Sequence, residues 1–206
     1  MNSRNKGMAL LTCFLLIVLA GCEPVKSVHA LWTEDTLVSE PALVGTWVFR
    51  DRPDSSDLTL RFTPSGDKAY RMSLLTRKPD RDTKWAKGWS LEFDARLVRL
   101  GDTLFLDLYP DYVAQKQKKL IELDGSIFLQ RVHTFYSVSI ESDRLTLAYL
   151  DDSWVNRMIE QNTLSTGPKS GDFLLTAGTR ELQQLLIEHA HNPEAFGSID
   201  AFIREK

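Results

Sequence analysis

Between residues 44 and 149 apolar and polar side chains alternate with a period of two, which is typical of β-strands that bury one face. The alternating apolar positions fall into separate short runs: Leu58, Leu60 and Phe62; Tyr70, Met72 and Leu74; Leu91, Phe93, Ala95 and Leu97; Leu104, Leu106 and Leu108; Tyr136, Val138 and Ile140; and Leu145, Leu147 and Tyr149. Turn-forming residues separate the runs, and Gly101-Asp102, Asp124-Gly125 and Ser142-Asp143 are the clearest of these turns. The pattern predicts a mainly β fold with minor α, in which an antiparallel meander forms a small barrel or a curled sheet.

The alternation changes parity once, after Leu97. Val98 and Leu100 are apolar but occupy the positions that a regular strand turns to the opposite face. A β-bulge inserts one residue into a strand and produces such a change, so we predict a bulge here.

Helical periodicity appears only towards the C-terminus. Asp151 or Asp152 is placed to cap a helix with Trp154 and Ile159 on its apolar face. A second helix is predicted from Gly178-Thr179 to Ala190, because Leu182, Leu185 and Leu186 recur at helical spacing. We expect this amphipathic C-terminal helix to pack outside the sheet. The last apolar residues predict one more short helical turn, and they are Phe196, Ile199, Phe202 and Ile203.

The N-terminus has a different composition. Arg4 and Lys6 precede an apolar run over residues 8–20, which is too short for a spanning helix of about 20 apolar residues and has the length of a signal-peptide core. The alternative is a signal anchor that stays uncleaved.

The run ends in Leu19-Ala20-Gly21-Cys22, which resembles the lipobox of bacterial lipoproteins. The resemblance implies cleavage before Cys22 and acylation of that cysteine, with palmitate-like chains that hold the protein to membrane lipid. It implies a signal peptide at 1–21, a lipidated N-terminus and tether at 22–42, and one β-rich domain at 43–206. The expected location is extracytoplasmic, on the periplasmic face of the inner or the outer membrane.

Cysteine content and charge narrow the function classes. Cys13 leaves with the predicted signal peptide, so the mature chain has no thiol besides Cys22 for a disulfide or a thiolate metal site. The leader carries two of the 25 basic residues and none of the 28 acidic ones, which leaves 23 against 28 and a net charge of −5. An acidic domain argues against nucleic acid as a partner.

Gly45-Thr46-Trp47 opens the first strand and resembles the G-x-W signature of lipocalins and related calycin barrels. The resemblance implies a barrel in which the glycine lets the chain bend at the floor and Trp47 plugs the closed end. The arginine that lies across this tryptophan in the family has no unambiguous match in the sequence. The alternative is that Gly45 starts a strand and Trp47 is an ordinary core aromatic residue.

The sequence contains none of the common catalytic or metal-binding motifs. There is no G-x-S-x-G, H-E-x-x-H, P-loop or G-x-G-x-x-G pattern, and His189 and His191 are not at the i, i+4 spacing of a helical metal pair. His133 is interpreted as a structural histidine. We therefore expect no enzyme activity, no metal and no cofactor.

Three function classes are considered from the sequence, and two of them are favoured over the third. The first is a non-catalytic binding module for a hydrophobic or lipid-like ligand, for which Gly45 and Trp47 are candidate signature residues. The alternative is a scaffold or interaction lipoprotein that binds an envelope protein and no small ligand. A hydrolase comes last, because it needs a pocket with convergent titratable groups.

Overall fold

The computed structural model describes residues 25–49, 58–76, 90–111, 114, 131–161, 164, 166 and 174–205. The predicted signal peptide, Cys22 and the predicted hairpin at Asp124-Gly125 lie outside the described residues. Within them the chain forms ten strands: β1 (Lys26–Ser27), β2 (Gly45–Phe49), β3 (Leu58–Gly66), β4 (Ala69–Thr76), β5 (Ser90–Leu100), β6 (Thr103–Pro110), β7 (His133–Ile140), β8 (Arg144–Tyr149), β9 (Leu174–Leu175) and β10 (Ser198–Arg204). A 3-10 helix spans Pro41–Leu43, and two α-helices, α1 (Asp152–Glu160) and α2 (Thr179–His189), lie between β8 and β10.

Eight of the strands form a closed antiparallel barrel. From β2 to β8 each strand pairs with the next one along the chain, β10 follows β8, and β10 pairs with β2 to close the ring. The predicted mainly β, antiparallel barrel with minor α is confirmed. Closure gives every one of these strands two neighbours, which removes the free sheet edges that an open sheet exposes.

Two apolar cores share the barrel wall. The inner core is formed by the inward side chains of the eight strands, and Trp47, Phe62, Leu97, Leu106 and Leu145 are completely buried in it. The outer core lies between the outside of the wall, the two helices and the N-terminal segment, and it includes Leu31, Phe105, Val155, Leu182 and Leu186. One face of the wall therefore packs against the barrel contents and part of the other face packs against helices.

The predicted β-bulge after Leu97 is wrong. The pairing of β5 with β6 runs without a shift from Phe93 opposite Pro110 to Leu100 opposite Thr103. Leu97 belongs to the inner core, whereas Val98 and Leu100 belong to the outer core. The parity changes because the end of this strand is covered by apolar groups on both sides.

The predicted helical turn near the C-terminus is also wrong, because Ile199, Phe202 and Ile203 belong to β10 and Phe196 lies in the bend before it. Phe202 points into the inner core, and Ile199 and Ile203 point outwards with 63% and 44% of their surface exposed. The amphipathic helix α2 packs outside the barrel as predicted, with Leu182, Leu185 and Leu186 in the outer core, but it is followed by this last strand.

The cap of α1 agrees with the sequence prediction. The Asp151 carboxylate accepts a hydrogen bond from the Trp154 backbone N–H at 2.8 Å, and Trp154, Val155 and Ile159 are buried. No described helix is long and apolar enough to cross a membrane.

The segment between Val25 and Leu43, predicted as part of a tether, lies against the barrel. β1 pairs antiparallel with β7 and parallel with β9, and the Leu31 side chain is completely buried. Helix α2 holds this segment, since Thr179 Oγ1 donates to the Ala30 carbonyl at 2.7 Å and Gln183 Nε2 donates to the Leu31 carbonyl at 2.8 Å. These contacts place the next residue, Trp32, over the outside of the barrel wall.

Candidate functional site

One end of the barrel is closed. The short turns after β3, β5 and β7 lie at this end, together with the start of β2 and the end of β10. The 3-10 helix covers it with Leu43, and Trp47 Nε1 donates to the Leu43 carbonyl at 2.9 Å. Both side chains are completely buried, so apolar groups fill this end.

Arg204 completes the closed end. Its guanidinium carbon lies 4.1 Å from the centre of the Trp47 ring, which is the geometry of a cation–π contact. The same group donates to the Val44 carbonyl at 2.9 Å, to the Ser142 carbonyl at 3.0 Å and to the Ala42 carbonyl. The arginine that the sequence did not reveal is therefore the last residue of β10, opposite Trp47 in register.

Glycine is required at position 45 by its backbone conformation and by the close approach of Arg204. Its φ of +140° lies in a region that residues with a Cβ rarely adopt, and a Cβ there would stand 2.6 Å from Arg204 Nη1. Gly45 and Trp47, the candidate signature residues, thus lie together at the closed end.

The opposite end of the barrel is built differently. At this end β2, β4, β6 and β8 finish, and β3, β5, β7 and β10 begin. The inward side chains near it are apolar and only partly buried, and they include Phe49, Leu58, Leu74 and Phe93. We call these four residues the apolar mouth.

A polar cluster lies inside the barrel near the apolar mouth. Tyr149 donates its hydroxyl hydrogen bond to the Asp200 carboxylate, and the Tyr136 ring packs edge-on against the Tyr149 ring with centroids 5.2 Å apart. Burial raises the pKa of both phenols above the usual value, and for Tyr149 the hydrogen bond to Asp200 adds to the effect. Both tyrosines are therefore neutral at physiological pH.

A second concave site lies on the outside of the wall. It has a volume of about 190 Å³ and is lined by Trp32, Asp94, Arg96, Asp107, Tyr109 and His133. We call it the outer cleft. Five of these side chains come from outward positions of β5, β6 and β7, where Asp94 pairs with Tyr109 and Arg96 pairs with Asp107 across β5 and β6. The register of the sheet thus gathers four titratable residue types in one place.

Asp107 lies at the bottom of the outer cleft. It is 1% exposed, accepts a hydrogen bond from the Leu31 backbone N–H at 2.8 Å, and lies 2.7 Å from His133 Nδ1 through its other oxygen. The Tyr109 ring packs on the His133 ring with centroids 4.7 Å apart. Since Nδ1 faces the carboxylate, the imidazole orientation is fixed and Nε2 remains as the ring nitrogen for another partner.

The other polar groups of the outer cleft have few protein partners. Among the residues that the structure describes, no side chain bonds to the Asp94 carboxylate, the Tyr109 hydroxyl or His133 Nε2. Arg96 forms no ion pair with a described residue, and its guanidinium contacts the Ala95 carbonyl at 3.4 Å and the face of Trp32 at 5.8 Å. These groups are free to bind a molecule that enters the cleft.

The outer cleft was not predicted from the sequence. The sequence predicted a structural role for His133, and the contact with buried Asp107 accounts for such a role. One signal was present: Asp107 interrupts the apolar run of β6. A carboxylate in such a run indicates a buried group with dedicated partners.

The lining of the outer cleft supplies carboxylate, guanidinium, phenol and imidazole groups. Titratable groups of the kind that a hydrolase requires therefore converge here, and the six lining residues include no Ser, Thr or Cys. Within the described part of the chain, no group of three or more His, Cys, Asp or Glu side chains could hold a metal ion. Comparison of the chain with protein-family models, with curated proteins and with solved structures found no match.

Proposed function

We propose that this protein is a membrane-anchored bacterial lipoprotein whose barrel binds a hydrophobic or lipid-like ligand without catalysing a reaction. The observation that carries the proposal is the difference between the two barrel ends. One end is filled by Trp47, Leu43 and Arg204, whereas the other is lined by partly exposed apolar side chains. Apolar side chains at the second end suit the apolar part of a ligand that enters there.

The depth of such a ligand is limited by the inner core. The closed half of the barrel is filled by side chains, because almost no surface is accessible on Phe62, Leu97, Leu106 and Phe202. The ligand would occupy the half of the barrel at the apolar mouth. Its apolar part would contact the apolar mouth, and a hydrogen-bonding group would lie at Tyr149 and Asp200.

The ligand proposal is tested on the full chain purified from its own membranes in a maltoside detergent. Organic extraction and mass spectrometry should find a co-purifying lipid at near one-to-one ratio, and a fluorescent fatty-acyl probe should bind and be displaced by that lipid. Leu74→Lys places a charge in the apolar mouth and should abolish probe binding. Ile203→Lys places the same charge on the outer face of β10, where 44% of the side chain is exposed, and should not.

Phe93→Trp is a second variant that keeps the mouth apolar but fills it. It should weaken probe binding while the fold, measured by far-UV circular dichroism, is unchanged. Absence of co-purified lipid together with absence of saturable probe binding in the unmodified chain would overturn the ligand proposal.

The anchor is tested separately at Cys22. The Cys22→Ser chain should lose incorporation of labelled palmitate and should leave the membrane fraction. Cys13→Ser is the matched control, because this cysteine lies in the predicted signal peptide, and it should label normally. A Cys22→Ser protein that stays in the membrane with its leader removed would show that the anchor assignment is wrong.

A scaffold lipoprotein is the second candidate function, and the exposed pair Ile199 and Ile203 favours it. Both side chains lie on the outward face of β10 and are exposed. A photo-crosslinker at Ile199 that captures one envelope protein in cells, in a chain that binds no lipid, would support this function over the first.

A further inference from the structure

The outer cleft brings together charged and hydrogen-bonding groups that the protein leaves unpaired. Within the described chain, the Asp94 carboxylate, the Arg96 guanidinium, the Tyr109 hydroxyl and His133 Nε2 have no hydrogen-bond or ion-pair partner other than the long Arg96 contact to a backbone carbonyl. All four residues are partly buried. Partly buried groups have fewer water neighbours than exposed ones, so four of them that converge on one cleft offer a ligand several bonds at once.

The donors of the outer cleft point to an anionic group on that partner. Arg96 offers a planar fork of N–H groups that matches a carboxylate or a phosphate. Tyr109 adds a hydroxyl donor, and His133 adds Nε2, which becomes a donor when the imidazole is protonated. Buried Asp107 lies 2.7 Å from Nδ1 and fixes the orientation of the ring, so that Nε2 faces away from Asp107.

The Asp94 carboxylate indicates that the same partner also carries a cationic group. Its carboxylate lies beside Tyr109 in the register of β5 and β6, and no described cation neutralises it. The aromatic rings of Trp32 and Tyr109 also line the cleft, and aromatic rings attract an ammonium group. An anion alone would leave Asp94 unmatched, and a cation alone would leave Arg96 unmatched.

The size of the cleft limits the ligand. Its volume of about 190 Å³ is below the roughly 300–1,000 Å³ of pockets for drug-sized molecules. An engineered cavity of about 150 Å³ holds benzene, so the outer cleft has room for a molecule of similar or slightly greater size.

We propose that the outer cleft binds a small zwitterion in which a carboxylate or phosphate is joined by a short chain to an ammonium group. Arg96, Tyr109 and His133 hold the anionic group, and Asp94 holds the ammonium group. Asp107 is a positioning residue, because it acts through His133. This site is separate from the barrel interior and does not depend on the function proposed for it.

The test is isothermal titration calorimetry of the full chain in dodecyl maltoside, an uncharged detergent. The probes are phosphoethanolamine and β-alanine, with methyl phosphate, propionate and ethylamine as singly charged analogues. At least one zwitterion should bind saturably, and roughly tenfold or more tighter than either of its singly charged analogues, because each lost charge-assisted contact is worth about that factor. Quenching of Trp32 fluorescence should follow the same binding curve.

Two variants separate the two ends of the ligand. Asp94→Asn should lower zwitterion affinity roughly tenfold and leave the affinity for methyl phosphate or propionate unchanged or higher. Arg96→Gln should abolish binding of zwitterions and anions alike. The controls Asp67→Asn and Arg61→Gln remove the same charges from exposed positions and should change neither affinity.

Two results would overturn the proposal: a folded chain that binds neither the soluble zwitterions nor vesicles containing phosphatidylethanolamine, or equal binding of zwitterion and singly charged anion with no effect of Asp94→Asn. A further arm identifies the source of the zwitterion. Binding of soluble phosphoethanolamine or β-alanine supports a free metabolite. Binding only to phosphatidylethanolamine in phosphatidylcholine vesicles, and not to the soluble probes, supports a lipid headgroup at the same site.

Discussion

Removing the guanidinium of Arg204 should destabilise the closed end of the barrel. The Arg204→Gln variant loses the contact with the Trp47 ring and the fork that bonds three backbone carbonyls. The cation–π contact contributes about 0.5–2 kcal/mol. The bond to the Val44 carbonyl is partly buried and contributes about 1.5 kcal/mol, whereas the bonds to Ser142 and Ala42 are exposed and contribute less because water replaces them.

The expected loss in the free energy of unfolding is therefore about 2–4 kcal/mol. For a chain of this size that corresponds to a fall of roughly 5–15 °C in Tm. Urea unfolding followed by tryptophan fluorescence and thermal unfolding followed by circular dichroism measure the two quantities. Arg204→Lys should lie between the variant and the unmodified chain, since a lysine keeps the charge over Trp47 but cannot bond three carbonyls at once.

The matched control is Arg61→Gln, which removes an exposed arginine from the outward face of β3. It should change stability by less than about 0.5 kcal/mol. If Arg204→Gln changed the free energy of unfolding as little as this control, the contacts of Arg204 would be dispensable. Arg204 would then not stabilise the packing of Trp47 at the closed end.

Three further predictions concern the buried polar groups and the backbone. Asp107→Leu leaves the Leu31 N–H and His133 Nδ1 without an acceptor and should cost about 2–5 kcal/mol in urea unfolding, whereas Asp107→Asn keeps an acceptor and should cost less; equal losses would contradict this account. Tyr136 and Tyr149 have folded-state pKa values above the ordinary 10.0, so the unfolded chain loses phenol protons that the folded chain keeps. Stability should thus be unaffected by these groups below pH 10 and should fall as the pH rises above it, with a shallower fall in Tyr149→Phe; an unchanged slope in that variant would count against the buried phenol. Gly45→Ala should cost about 1–3 kcal/mol, because φ is +140° and the new Cβ meets Arg204, and a thermal melt like that of the unmodified chain would show that the backbone relaxes freely.

Local patterns predicted much of the fold. The hairpin at Gly101-Asp102 and the turn at Ser142-Asp143 join strands at the expected places, because each turn needs only its own residues. The α1 cap at Asp151 and the apolar face of α2 were readable for the same reason.

Predictions failed where a strand meets more than one environment. Leu97, Val98 and Leu100 suggested a bulge, but the strand is regular and covered on both sides. Phe202 and its neighbours suggested a helical turn, but pairing with β2 and β8 makes them a strand. Neighbours distant in sequence supply the burial and the hydrogen bonds that decide both cases.

The sequence by itself determined the alternation that makes a mainly β domain, the caps and turns that bound its elements, and the Gly45-Thr46-Trp47 start of the first strand. The tertiary structure alone decided that the barrel closes through β10, that Arg204 lies on Trp47, and that Asp94, Arg96, Asp107 and His133 share one cleft. The physical reason is that local periodicity depends on residues within a few positions of one another. Closure and convergence depend on strand register across the barrel, which brings together groups up to 162 positions apart, as in the bond from Arg204 to the Ala42 carbonyl.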